Sequence, residues 1–512
     1  MFADESDSAL GGGPVILASL FRLAGIEPLS SNALPEIAIR DVVDDSRKVR
    51  PGSCFVSVRH DEAGQRFMSD AVYRGATVVV SERFSSEIMG IPVVVVHDAR
   101  RAVSSLAAAF HGLCGMDPPP LRIIGITGTN GKTTVAWLLR AILRAAGRKT
   151  ALLGTVEYDL VTERLPASLT TPGPVDLCRS LATSLRRGAE YAVLEVSSHA
   201  LDQRRTDGLP FCSGVFTNLT GDHLDYHRSM EDYAAAKRRL FELLPGDAIA
   251  VINADDPWCH RIGSGATGRV FEYGLDAKRA DFTARILSAD STGSRLRLIG
   301  PGVDFPIGLS LLGRHNVSNA LAAAATAIGL GFDPEAVTLG LESVSGVPGR
   351  LQRVELEESP FTVLVDYAHT DDALCNVLQA VRSFTTGRVR CVFGCGGNRD
   401  RSKRPRMGRI VSALADHAYI TSDNPRTEDP AAIIDEIVAG FDRSQSCELE
   451  VHVERREAIA AAIEQAEPRD TILIAGKGHE TYQLVGDRVL PFDDVEVAKA
   501  CFMNRAVEEV SI

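Results

Sequence analysis

The sequence predicts an α/β protein of three domains: a small N-terminal α/β domain, a central P-loop parallel-sheet domain that is ATPase-like, and a C-terminal Rossmann-like domain. Three observations predict this. The chain has 512 residues, and single domains usually contain about 100–200 residues. Short apolar segments alternate with helical patterns, which is typical of a parallel sheet with helices on both faces. Proline- and glycine-rich segments interrupt the alternation twice, which gives predicted domains at 1–118, 119–347 and 348–512.

The first domain is expected to be a small sheet covered by helices. Short apolar runs predict buried strands, and an alanine-rich segment after them predicts a helix. The strand segments are "PGSCFVSV", "GATVVVSE" and "GIPVVVVHD", and the helical segment is "ARRAVSSLAAAFHGL". Pro118, Pro119 and Pro120 follow. A proline run stiffens the backbone and removes hydrogen-bond donors, so it marks the first boundary.

The second and third domains are predicted from eight further apolar strands. Four come before the second boundary and four after it: "LRIIGIT", "YAVLEVS", "SGVFTNL" and "AIAVINAD", then "FTVLVDYAH", "VRCVFGCGG", "HAYITSD" and "DTILIAGKG". Between the two groups, Gly346, Pro348 and Gly349 interrupt a helical pattern. Each C-terminal strand ends in a polar or glycine-rich loop, and in such sheets ligands bind at the carboxyl ends of the strands.

The composition excludes several classes of protein. The formal net charge of −12 argues against nucleic acid as the main ligand, because phosphate backbones require a basic surface. No stretch of about 18 uncharged apolar residues occurs, so neither a signal peptide nor a membrane span is expected. The cysteines are scattered, and only Cys391 and Cys395 lie close together, without zinc-site spacing. Reduced thiols and a cytoplasmic location are therefore expected.

A phosphate-binding loop is predicted in "GITGTNGKTTVAWLL", residues 125–139. The backbone N–H groups of such a loop surround phosphate oxygens, Lys132 reaches the terminal phosphates, and Thr133 offers a hydroxyl to Mg²⁺. The loop residues are Gly128, Thr129, Asn130, Gly131, Lys132, Thr133 and Thr134. The glycines are closer together than in the general G-x-x-x-x-G-K-[ST] pattern, and the alternative is an ordinary strand-to-helix turn.

Glu195 is a candidate ligand for a divalent cation. It ends an apolar strand, where an uncompensated carboxylate would be costly, and a cation nearby would account for it. The alternative is a pair with an arginine. His223 follows another strand end, and Lys237 lies in the helical segment "SMEDYAAAKRRLFELL". Taken alone, these two residues are more typical of a loop histidine and a solvated lysine.

Three loops of the C-terminal domain predict a pocket for an anionic group. "GCGGNRDRSKRP" contains Arg399, Arg401, Lys403 and Arg404, which suit a carboxylate or a phosphate. "TSDNPRTEDP" places Arg426 behind a proline, and "GKGHE" contains His479 and Glu480. A single charged loop is usually solvated surface, but three at strand ends of one sheet favour a binding site.

Together these motifs resemble the Mur ligases, a family of ATP-dependent enzymes that form amide bonds in peptidoglycan synthesis. The resemblance covers nearly the whole chain. The matching segments are "DSRKVRPGSCFVSV", "TGTNGKTT", "TTPGP", "EVSSHAL", "TNLTGDHLDYH", "YAAAK", "GRHNVSNALAA", "PGR", "DYAHT", "GCGGNRD", "SDNPR" and "GKGHE". So many motifs in one order make a chance agreement negligible.

The resemblance implies ATP and Mg²⁺ as cofactors. Lys132 and its loop would bind the ATP phosphates, and Thr133 and Glu195 would hold one Mg²⁺. His223 and an N6-carboxylated Lys237 would help to hold a second, and Lys132, Glu195, His223 and Lys237 would be the catalytic residues. The other nucleotide contacts would be Asn316 and Asn319 to adenine, Arg350 near the γ-phosphate and Asp366 near the ribose.

The resemblance also implies two further substrates, and a monomer is expected. UDP-N-acetylmuramoyl-L-alanyl-D-glutamate would contact Thr170, Thr171, Ser197, Gln203 and Arg205, with Ser46 near the uridine. The amino acid would be meso-2,6-diaminopimelate, held by Arg399, Asp423, Asn424, Pro425, Arg426, Gly476 and Glu480. A planar guanidinium pairs with a carboxylate through two hydrogen bonds, so Arg426 favours diaminopimelate over lysine, which would leave that cation unpaired.

Some positions depart from the family pattern. Asn398 stands where aspartate is usual, and Asp371 where proline is usual. "FVSVRHDEAGQRF" is one residue short and lacks the customary glycine before its histidine, and the acidic leader up to Pro14 has no assigned role. Alternative functions within the fold are an L-lysine-adding or a folylpolyglutamate-type ligase. An alternative of another class is a P-loop switch or transport component without ligase activity.

Overall fold

A computed structural model describes residues 14–29, 34–83, 87–224 and 226–510. These residues form three units, each built on its own sheet, as the sequence predicts. Within these ranges no helix is long and apolar enough to cross a membrane. The acidic leader lies outside the described residues except for Pro14.

The N-terminal unit has a mostly parallel sheet with the strand order β3-β4-β5-β7-β6, in which β6 is antiparallel to β7. The three predicted strands and the predicted helix are confirmed as β4, β5, β7 and α3. The strands are β1 (Val15–Ile16), β2 (Ala38–Ile39), β3 (Asp41–Val43), β4 (Ser53–Val56), β5 (Ala76–Ser81), β6 (Glu87–Ile88) and β7 (Ile91–Val95). The helices are α1 (Leu17–Ala24), α2 (Glu62–Tyr73) and α3 (Ala99–Phe110), and a 3₁₀ helix spans Ser46–Lys48.

The central unit has an eight-stranded sheet and a smaller antiparallel sheet of three strands. Its strands are β8 (Arg122–Thr127), β9 (Thr150–Leu153), β10 (Glu157–Asp159), β11 (Arg164–Pro166), β12 (Tyr191–Glu195), β13 (Phe211–Phe216), β14 (Ile249–Asn253), β15 (Arg269–Tyr273), β16 (Thr283–Asp290), β17 (Gly293–Gly300) and β18 (Val303–Leu309). Its helices are α4 (Lys132–Ala145), α5 (Pro174–Arg186), α6 (Ser198–Asp202), α7 (Met230–Glu242), α8 (Cys259–Gly263), α9 (Arg314–Gly329) and α10 (Pro334–Glu342).

The strand order of the large central sheet places the phosphate loop near its middle. The order is β11-β10-β9-β12-β8-β13-β14-β15, and β9, β12, β8, β13, β14 and β15 run parallel. The loops after β8, β12 and β13 therefore meet at one edge, because neighbouring parallel strands end on the same side. The hairpin β10–β11 adds two antiparallel strands at one edge of the predicted parallel sheet.

The C-terminal unit has a six-stranded sheet of order β19-β20-β24-β21-β22-β23, parallel except for β19. Its strands are β19 (Gln352–Arg353), β20 (Thr362–Asp366), β21 (Val389–Phe393), β22 (His417–Thr421), β23 (Glu448–His452), β24 (Thr471–Ala475), β25 (Tyr482–Val485) and β26 (Arg488–Pro491). Its helices are α11 (Asp371–Phe384), α12 (Lys403–Leu414), α13 (Pro430–Val438), α14 (Arg455–Glu464) and α15 (Asp494–Val510). The loops after β20, β21, β22 and β24 therefore converge, as predicted.

The hydrophobic cores do not follow the predicted domain limits. One cluster joins Leu20 and Leu106 of the N-terminal unit to Leu177 and Leu181 on α5 of the central unit. The C-terminal sheet has one cluster on each face, which contain among others Leu473 and Ile474. The N-terminal and central sheets are thus packed together through shared apolar side chains, and the limits at 118/119 and 347/348 stay predictions.

Candidate active site

The predicted phosphate loop connects β8 to α4. Gly128 and Gly131 have φ angles of 153° and 87°, and α4 begins at Lys132. A side chain at Gly128 would clash with Oγ1 of Thr217, and one at Gly131 would clash with Oδ1 of Asn319. The loop requires glycine at both positions, because the neighbouring strand and helix approach its backbone closely.

Lys132 folds back over this loop. Its Nζ donates to the carbonyl oxygens of Gly128 and Thr129, at 2.9 Å in each case. Burial lowers the pKa of Lys132. The backbone N–H of Asn130 donates to Oδ1 of Asn218 at 2.9 Å. The loop is therefore held by its own side chains and by the segment after β13.

Glu195 is fully buried at the end of β12. Its Oε2 accepts hydrogen bonds from the hydroxyls of Thr133 and Thr155, at 3.0 and 2.9 Å, and its Oε1 accepts from the N–H of Thr155 at 2.9 Å. The partners that the described residues supply are thus hydroxyl and amide groups rather than the arginine of the alternative interpretation. A buried carboxylate with only neutral donors is a favourable place for a divalent cation.

The donor set around Glu195 fits Mg²⁺ in a nucleotide site. In the part of the chain that the structure describes, no group of three or more His, Cys, Asp or Glu side chains could hold a metal ion alone. Magnesium ions usually take one or two carboxylates from the protein and fill the remaining positions with water and phosphate oxygens. Glu195 and the Thr133 hydroxyl match that requirement.

Lys237 lies on α7 and is 1% exposed, so its interpretation as a solvated helix lysine is wrong. Its Nζ donates to the carbonyl oxygen of Gly128 at 2.8 Å and lies 4.4 Å from the ring centre of Tyr233. Burial, together with the positive charge of Lys132, lowers the pKa of Lys237 well below its ordinary value. The structure therefore places the Lys237 amine against the backbone of the phosphate loop.

His223 lies in the loop after β13, near the same two lysines. Its φ angle is 55°, and its Nε2 is 3.4 Å from Oδ2 of Asp222. Burial lowers the pKa of His223, and the charges of Lys132 and Lys237 act in the same direction. A neutral imidazole is the form that binds metal ions. The structure thus brings Lys132, His223 and Lys237 together, which their separate sequence contexts do not indicate.

The two asparagines predicted near adenine lie on α9 beside the phosphate loop. Asn316 donates through Nδ2 to the carbonyl oxygen of Leu312 at 2.8 Å, and Asn319 donates to Oδ1 of Asn316 at 3.0 Å. Both side chains are buried. The Oδ1 of Asn319 points at Gly131, so α9 packs against the start of α4 at this point.

Arg350 and Asp366 both belong to the C-terminal unit, but only Arg350 contacts the phosphate loop. The Nη2 of Arg350 donates to Oγ1 of Thr133 at 3.1 Å, and its guanidinium lies 4.6 Å from the ring centre of Tyr367. The two carboxylate oxygens of Asp366 accept from the N–H groups of Leu351 and Ala368, at 2.6 and 2.7 Å. Arg350 therefore reaches the phosphate loop, whereas Asp366 fixes the backbone that carries Arg350.

The residues predicted to hold the muramyl substrate form one patch beside Glu195. Oγ1 of Thr171 donates to the carbonyl oxygen of Glu195 at 2.8 Å and accepts from the N–H of Ser197 at 3.0 Å. Oγ1 of Thr170 lies 3.1 Å from Oγ1 of Thr155. Since Thr155 binds Glu195, this patch is continuous with the carboxylate.

Arg205 extends the same patch. It donates through Nη1 to the carbonyl oxygen of Thr171 at 2.8 Å and through Nη2 to Oε1 of Gln203 at 2.7 Å. Ser46 lies farther away, in the N-terminal unit, in the 3₁₀ helix that Asp45 caps. An ion pair of 3.0 Å between Lys48 and Asp176 joins that segment to the central unit.

The predicted amino-acid residues converge at the carboxyl end of the C-terminal sheet. Nδ2 of Asn424 donates to Oε2 of Glu480 at 2.8 Å. Arg426 has a φ angle of 53° and donates through Nη1 to the carbonyl oxygen of Gly397 at 2.8 Å. Gly476 has a φ angle of 116°, and a Cβ there would lie 2.6 Å from Oδ2 of Asp423. The loops after β21, β22 and β24 thus form one site, with Pro425 buried between Asn424 and Arg426.

The basic loop after β21 is only partly available for a ligand. Arg404 is fully buried and pairs with Glu428 and Glu436, at 3.0 and 2.9 Å. Arg401 also pairs with Glu436. Arg404 therefore serves the fold, and its interpretation as an anion-binding group is wrong, whereas Arg401 is exposed and its role stays a prediction. Arg399 is exposed, and Lys403 donates to the carbonyl oxygen of His369 at 2.8 Å.

The unusual Asn398 has a structural explanation. Its φ angle is 53°, a left-handed conformation that asparagine adopts more readily than most residues. Its Oδ1 accepts from the N–H and the hydroxyl of Thr427, at 3.1 and 2.9 Å. It therefore holds the loop after β21 against the segment that follows Arg426.

Sequence reasoning missed three residues of the site. Thr155 supplies two hydrogen bonds to Glu195, and the signal for it was a Gly-Thr pair directly after a buried strand. Asp372 accepts from Nδ2 of Asn130 at 3.0 Å and so joins α11 to the phosphate loop. Lys477 is fully buried between Asn424 and Glu480. Each of these three residues contacts partners that are far away in the sequence, except that Glu480 lies only three residues after Lys477.

Two family models match the chain. The model described as "Mur ligase middle domain" covers residues 126–327, and the one described as "Mur ligase, glutamate ligase domain" covers residues 349–478. A UDP-N-acetylmuramoyl-L-alanyl-D-glutamate--2,6-diaminopimelate ligase from Geobacter metallireducens is 44% identical over 502 residues, which cover 93% of this chain and 96% of that protein.

Solved structures agree with these matches. A structure of a UDP-N-acetylmuramoyl-L-alanyl-D-glutamate--2,6-diaminopimelate ligase superposes with a TM-score of 0.70 at 33% identity, covering 96% of this chain and 100% of that one. A MurF ligase from Thermotoga maritima in complex with ADP gives a TM-score of 0.61 at 18% identity, covering 92% and 98%. The second likeness supports the fold alone.

Proposed function

The chain belongs to the Mur ligase family, and from this premise we propose that it is the ATP-dependent ligase that adds meso-2,6-diaminopimelate to UDP-N-acetylmuramoyl-L-alanyl-D-glutamate. The product is a peptidoglycan precursor. The observation that carries the choice of amino acid is Arg426, whose guanidinium lies at the converging strand ends and contacts the carbonyl oxygens of Gly397 and Asn424 rather than a carboxylate.

The reaction has two chemical steps. An oxygen of the D-glutamyl side-chain carboxylate attacks the γ-phosphorus of ATP, the bond to the bridging oxygen breaks, and ADP leaves. The amine of diaminopimelate then attacks the carbonyl carbon of the acyl phosphate, and the tetrahedral intermediate expels inorganic phosphate as the amide forms. Because two negatively charged reactants meet in the first step, charge neutralisation is the main requirement.

We propose that Lys132, Arg350 and the start of α4 meet this requirement. Lys132 is held over the phosphate loop, and Arg350 contacts the same loop through Thr133. The N-terminal end of α4 adds partial positive charge from its free backbone N–H groups. These groups are fixed before the substrate arrives, so they stabilise the negative charge of the transition state without rearranging.

Glu195 and Thr133 would hold Mg²⁺, which supplies charge neutralisation at the phosphate oxygens when bound. Thr155 supports this arrangement, because it donates to both oxygens of Glu195 and so fixes the direction of the carboxylate. The metal preference of the pair follows from its oxygen ligands, which suit a small hard cation.

We propose that Lys237 carries an N6-carboxylate in the active enzyme. A neutral amine is needed to react with carbon dioxide, and burial beside the positive charge of Lys132 lowers the pKa of Lys237, which favours that form. The product is an anion, which gives Lys132 a negatively charged neighbour in place of an amine. Together with His223, that carboxylate would provide ligands for a second Mg²⁺, which an ammonium group would repel.

We propose that the patch of Thr170, Thr171, Ser197, Gln203 and Arg205 grips the muramyl peptide and presents its carboxylate to the phosphate loop. The continuity of this patch with Glu195 supports the assignment. A uridine contact near Ser46 agrees with its place on the N-terminal unit, which packs against the central one.

Recognition of diaminopimelate is proposed to use two charges. Arg426 would pair with the distal carboxylate through two parallel hydrogen bonds, and Glu480 would accept the distal ammonium group. Lysine lacks that carboxylate, so binding it would leave a half-buried guanidinium unpaired, which a polar site penalises strongly. Asn424, Gly476 and Asp423 would line the site, and Arg399 is free to approach from its exposed position.

A single chain would carry the reaction, because the nucleotide, metal and amino-acid residues all come from one polypeptide. We also propose a cytoplasmic location, where ATP is available; all ten cysteines are free thiols, in agreement with that proposal. The lysine-adding and folylpolyglutamate alternatives are disfavoured by Arg426.

The decisive experiment is phosphate release from ATP with the UDP-linked muramyl dipeptide present. Three reactions are compared, which contain meso-diaminopimelate, L-lysine or no amino acid. Release that depends on diaminopimelate supports the proposal. Equal use of lysine would keep the ligase but discard the role of Arg426, and steady release without an acceptor would favour a P-loop ATPase of another class.

A further inference from the structure

Lys477 is a fully buried lysine in the loop after β24, between two residues assigned to the amino-acid site. Its Nζ lies 3.2 Å from Oε2 of Glu480 and 3.3 Å from Oδ1 of Asn424. It also lies 5.7 Å from the ring centre of Tyr482. No solvent reaches the amine, so its charge is balanced by these neighbours.

The backbone on both sides of Lys477 is fixed by close packing. Gly476 and Gly478 have φ angles of 116° and 55°. A Cβ at Gly476 would lie 2.6 Å from Oδ2 of Asp423, and one at Gly478 would lie 2.7 Å from Cβ of Tyr367. The loop is thus confined on two sides, and the Lys477 side chain extends from it toward Asn424 and Glu480.

Lys477 and the N–H of Leu484 together fix the orientation of the Asn424 amide. Oδ1 of Asn424 accepts from Lys477 and from the N–H of Leu484, the latter at 2.9 Å. An amide oxygen between two donors cannot be exchanged with the nitrogen, so Nδ2 must face Glu480, to which it donates at 2.8 Å.

The same arrangement saturates one oxygen of Glu480 and leaves the other for a ligand. Oε2 of Glu480 receives hydrogen bonds from both Asn424 and Lys477. Among the described residues, no donor hydrogen-bonds to Oε1, and the side chain of Glu480 is 19% exposed. Glu480 therefore presents one oriented acceptor at the edge of the site.

A purely structural role does not explain well why a charged lysine is buried at position 477. Taking an ammonium group out of water is costly, and well-packed apolar side chains often replace buried ion pairs without loss of stability. The geometry instead resembles the outer partners that orient the ligands of a binding site. We propose that Lys477 is a positioning residue of the amino-acid site, which fixes Asn424 and Glu480 so that Oε1 of Glu480 accepts the distal ammonium group of the substrate.

This inference rests on the proposed function, since it names diaminopimelate as the occupant of the site. The test is steady-state kinetics of Lys477→Met, which keeps the length of the side chain but removes its charge and donors. The KM for meso-diaminopimelate is expected to rise ~10-fold or more, because Glu480 loses one of the two donors that fix its carboxylate and Asn424 keeps only the N–H of Leu484 at its oxygen. The KM for ATP and the kcat at saturating amino acid should change less than about twofold.

A double-mutant cycle shows whether Lys477 acts through Glu480. In a Glu480→Gln background, Lys477→Met should raise the KM for diaminopimelate by less than about threefold, because the group it orients is already altered. Lys477→Arg, which keeps the charge, should recover much of the wild-type KM. The matched control is Lys499→Met, which breaks another i,i+3 lysine–glutamate pair, 2.9 Å long, on α15.

Each other outcome overturns the proposal. An unchanged KM for diaminopimelate in folded Lys477→Met would exclude positioning, and a parallel rise in the KM of all three substrates would indicate general damage. Thermal denaturation monitors folding, and Lys477→Gln replaces Lys477→Met should that variant fail to fold. If both fail, the cation serves the fold. A wild-type enzyme that uses lysine and not diaminopimelate would refute the proposed function instead, before any variant is compared.

Discussion

Arg350 of the C-terminal unit donates a hydrogen bond of 3.1 Å to the hydroxyl of Thr133, the first threonine after the phosphate-loop lysine. The Thr133 hydroxyl in turn donates to Glu195 at 3.0 Å. A chain of two hydrogen bonds thus runs from the C-terminal unit through the phosphate loop to the candidate metal ligand. The predicted phosphate site of the central unit is therefore linked to the C-terminal unit by direct hydrogen bonds.

Replacing Arg350 by methionine should lower kcat by ~100-fold, because one preorganised donor at the transferred phosphate is lost. Phosphate release under saturating substrates measures this. Arg353→Met is the matched control, since Arg353 is exposed only three residues away. ADP binding by calorimetry should remain within a few-fold of wild type. Similar kcat losses in both variants would contradict a specific role for Arg350.

Gly131→Ala should abolish or strongly weaken nucleotide binding. The residue has a φ angle of 87°, and the added Cβ would clash with Oδ1 of Asn319. Gly147→Ala is a matched control at the other end of α4: its φ angle is 76°, but the space around it is open. In both variants, holding a residue with a Cβ atom in the left-handed conformation costs about 1–2 kcal/mol of stability. Calorimetric ATP affinity should fall ~10-fold or more only for Gly131→Ala, and equal affinities would argue against a tight loop.

Lys237→Ala should lose activity by ~100-fold or more, and a small carboxylate such as formate should restore part of it. The reason is that the missing group would be an N6-carboxylate rather than an amine. Wild-type enzyme depleted of bicarbonate should lose activity reversibly. Arg238→Ala, on the same helix, is the control. Full activity of Lys237→Ala without any additive would exclude the modification.

Arg426→Ala should lose turnover of meso-diaminopimelate while keeping its affinity for ATP. The expected loss in kcat/KM is ~1,000-fold or more, since a polar site that loses one partner of a charged pair discriminates strongly. Arg488→Ala is the control, because Arg488 is an exposed arginine of the hairpin next to the site. If Arg426→Ala keeps wild-type kcat/KM for diaminopimelate, the guanidinium does not bind the distal carboxylate.

The protein should become less stable as the pH falls from 7 to 5. Burial lowers the pKa of His315 and of His479 to about 4. Between their usual pKa of about 6.5 and that value, the unfolded chain binds more protons than the folded chain, so the free energy of unfolding decreases with falling pH. Melting temperatures at pH 5, 6 and 7 measure this. His315→Gln should flatten the profile, and an unchanged slope would show that His315 titrates normally.

Most of the parallel strands are predicted, because their apolar runs are continuous and bounded by glycine or polar residues. The parallel strands β3, β9, β15 and β23 are not predicted. The sheet β16–β18 was not predicted, although Leu296 and Leu298 are buried and alternate with arginines that face outward. This alternation is the usual signal of an antiparallel strand with one exposed face, and it was present in the sequence.

For the site, the type of residue was easier to predict than its partner. Lys237 was identified only through the resemblance, because its burial depends on the position of the phosphate loop far away in the chain. Arg404 was interpreted as a ligand group, but Glu428 and Glu436 lie 24 and 32 residues away and neutralise it. Pairings of this kind arise from the tertiary fold and have no local pattern.

The shared hydrophobic cluster of the N-terminal and central units bears on how the protein unfolds. Leu20 and Leu106 pack into the same core as Leu177 and Leu181, whereas the two cores of the C-terminal sheet include only Leu312 from the central unit among their buried residues. Cooperativity follows buried contacts rather than linker composition. On heating, the first two units should therefore unfold together and the C-terminal unit separately. The boundary between the two cooperative units is expected near Gly346 rather than at the proline run.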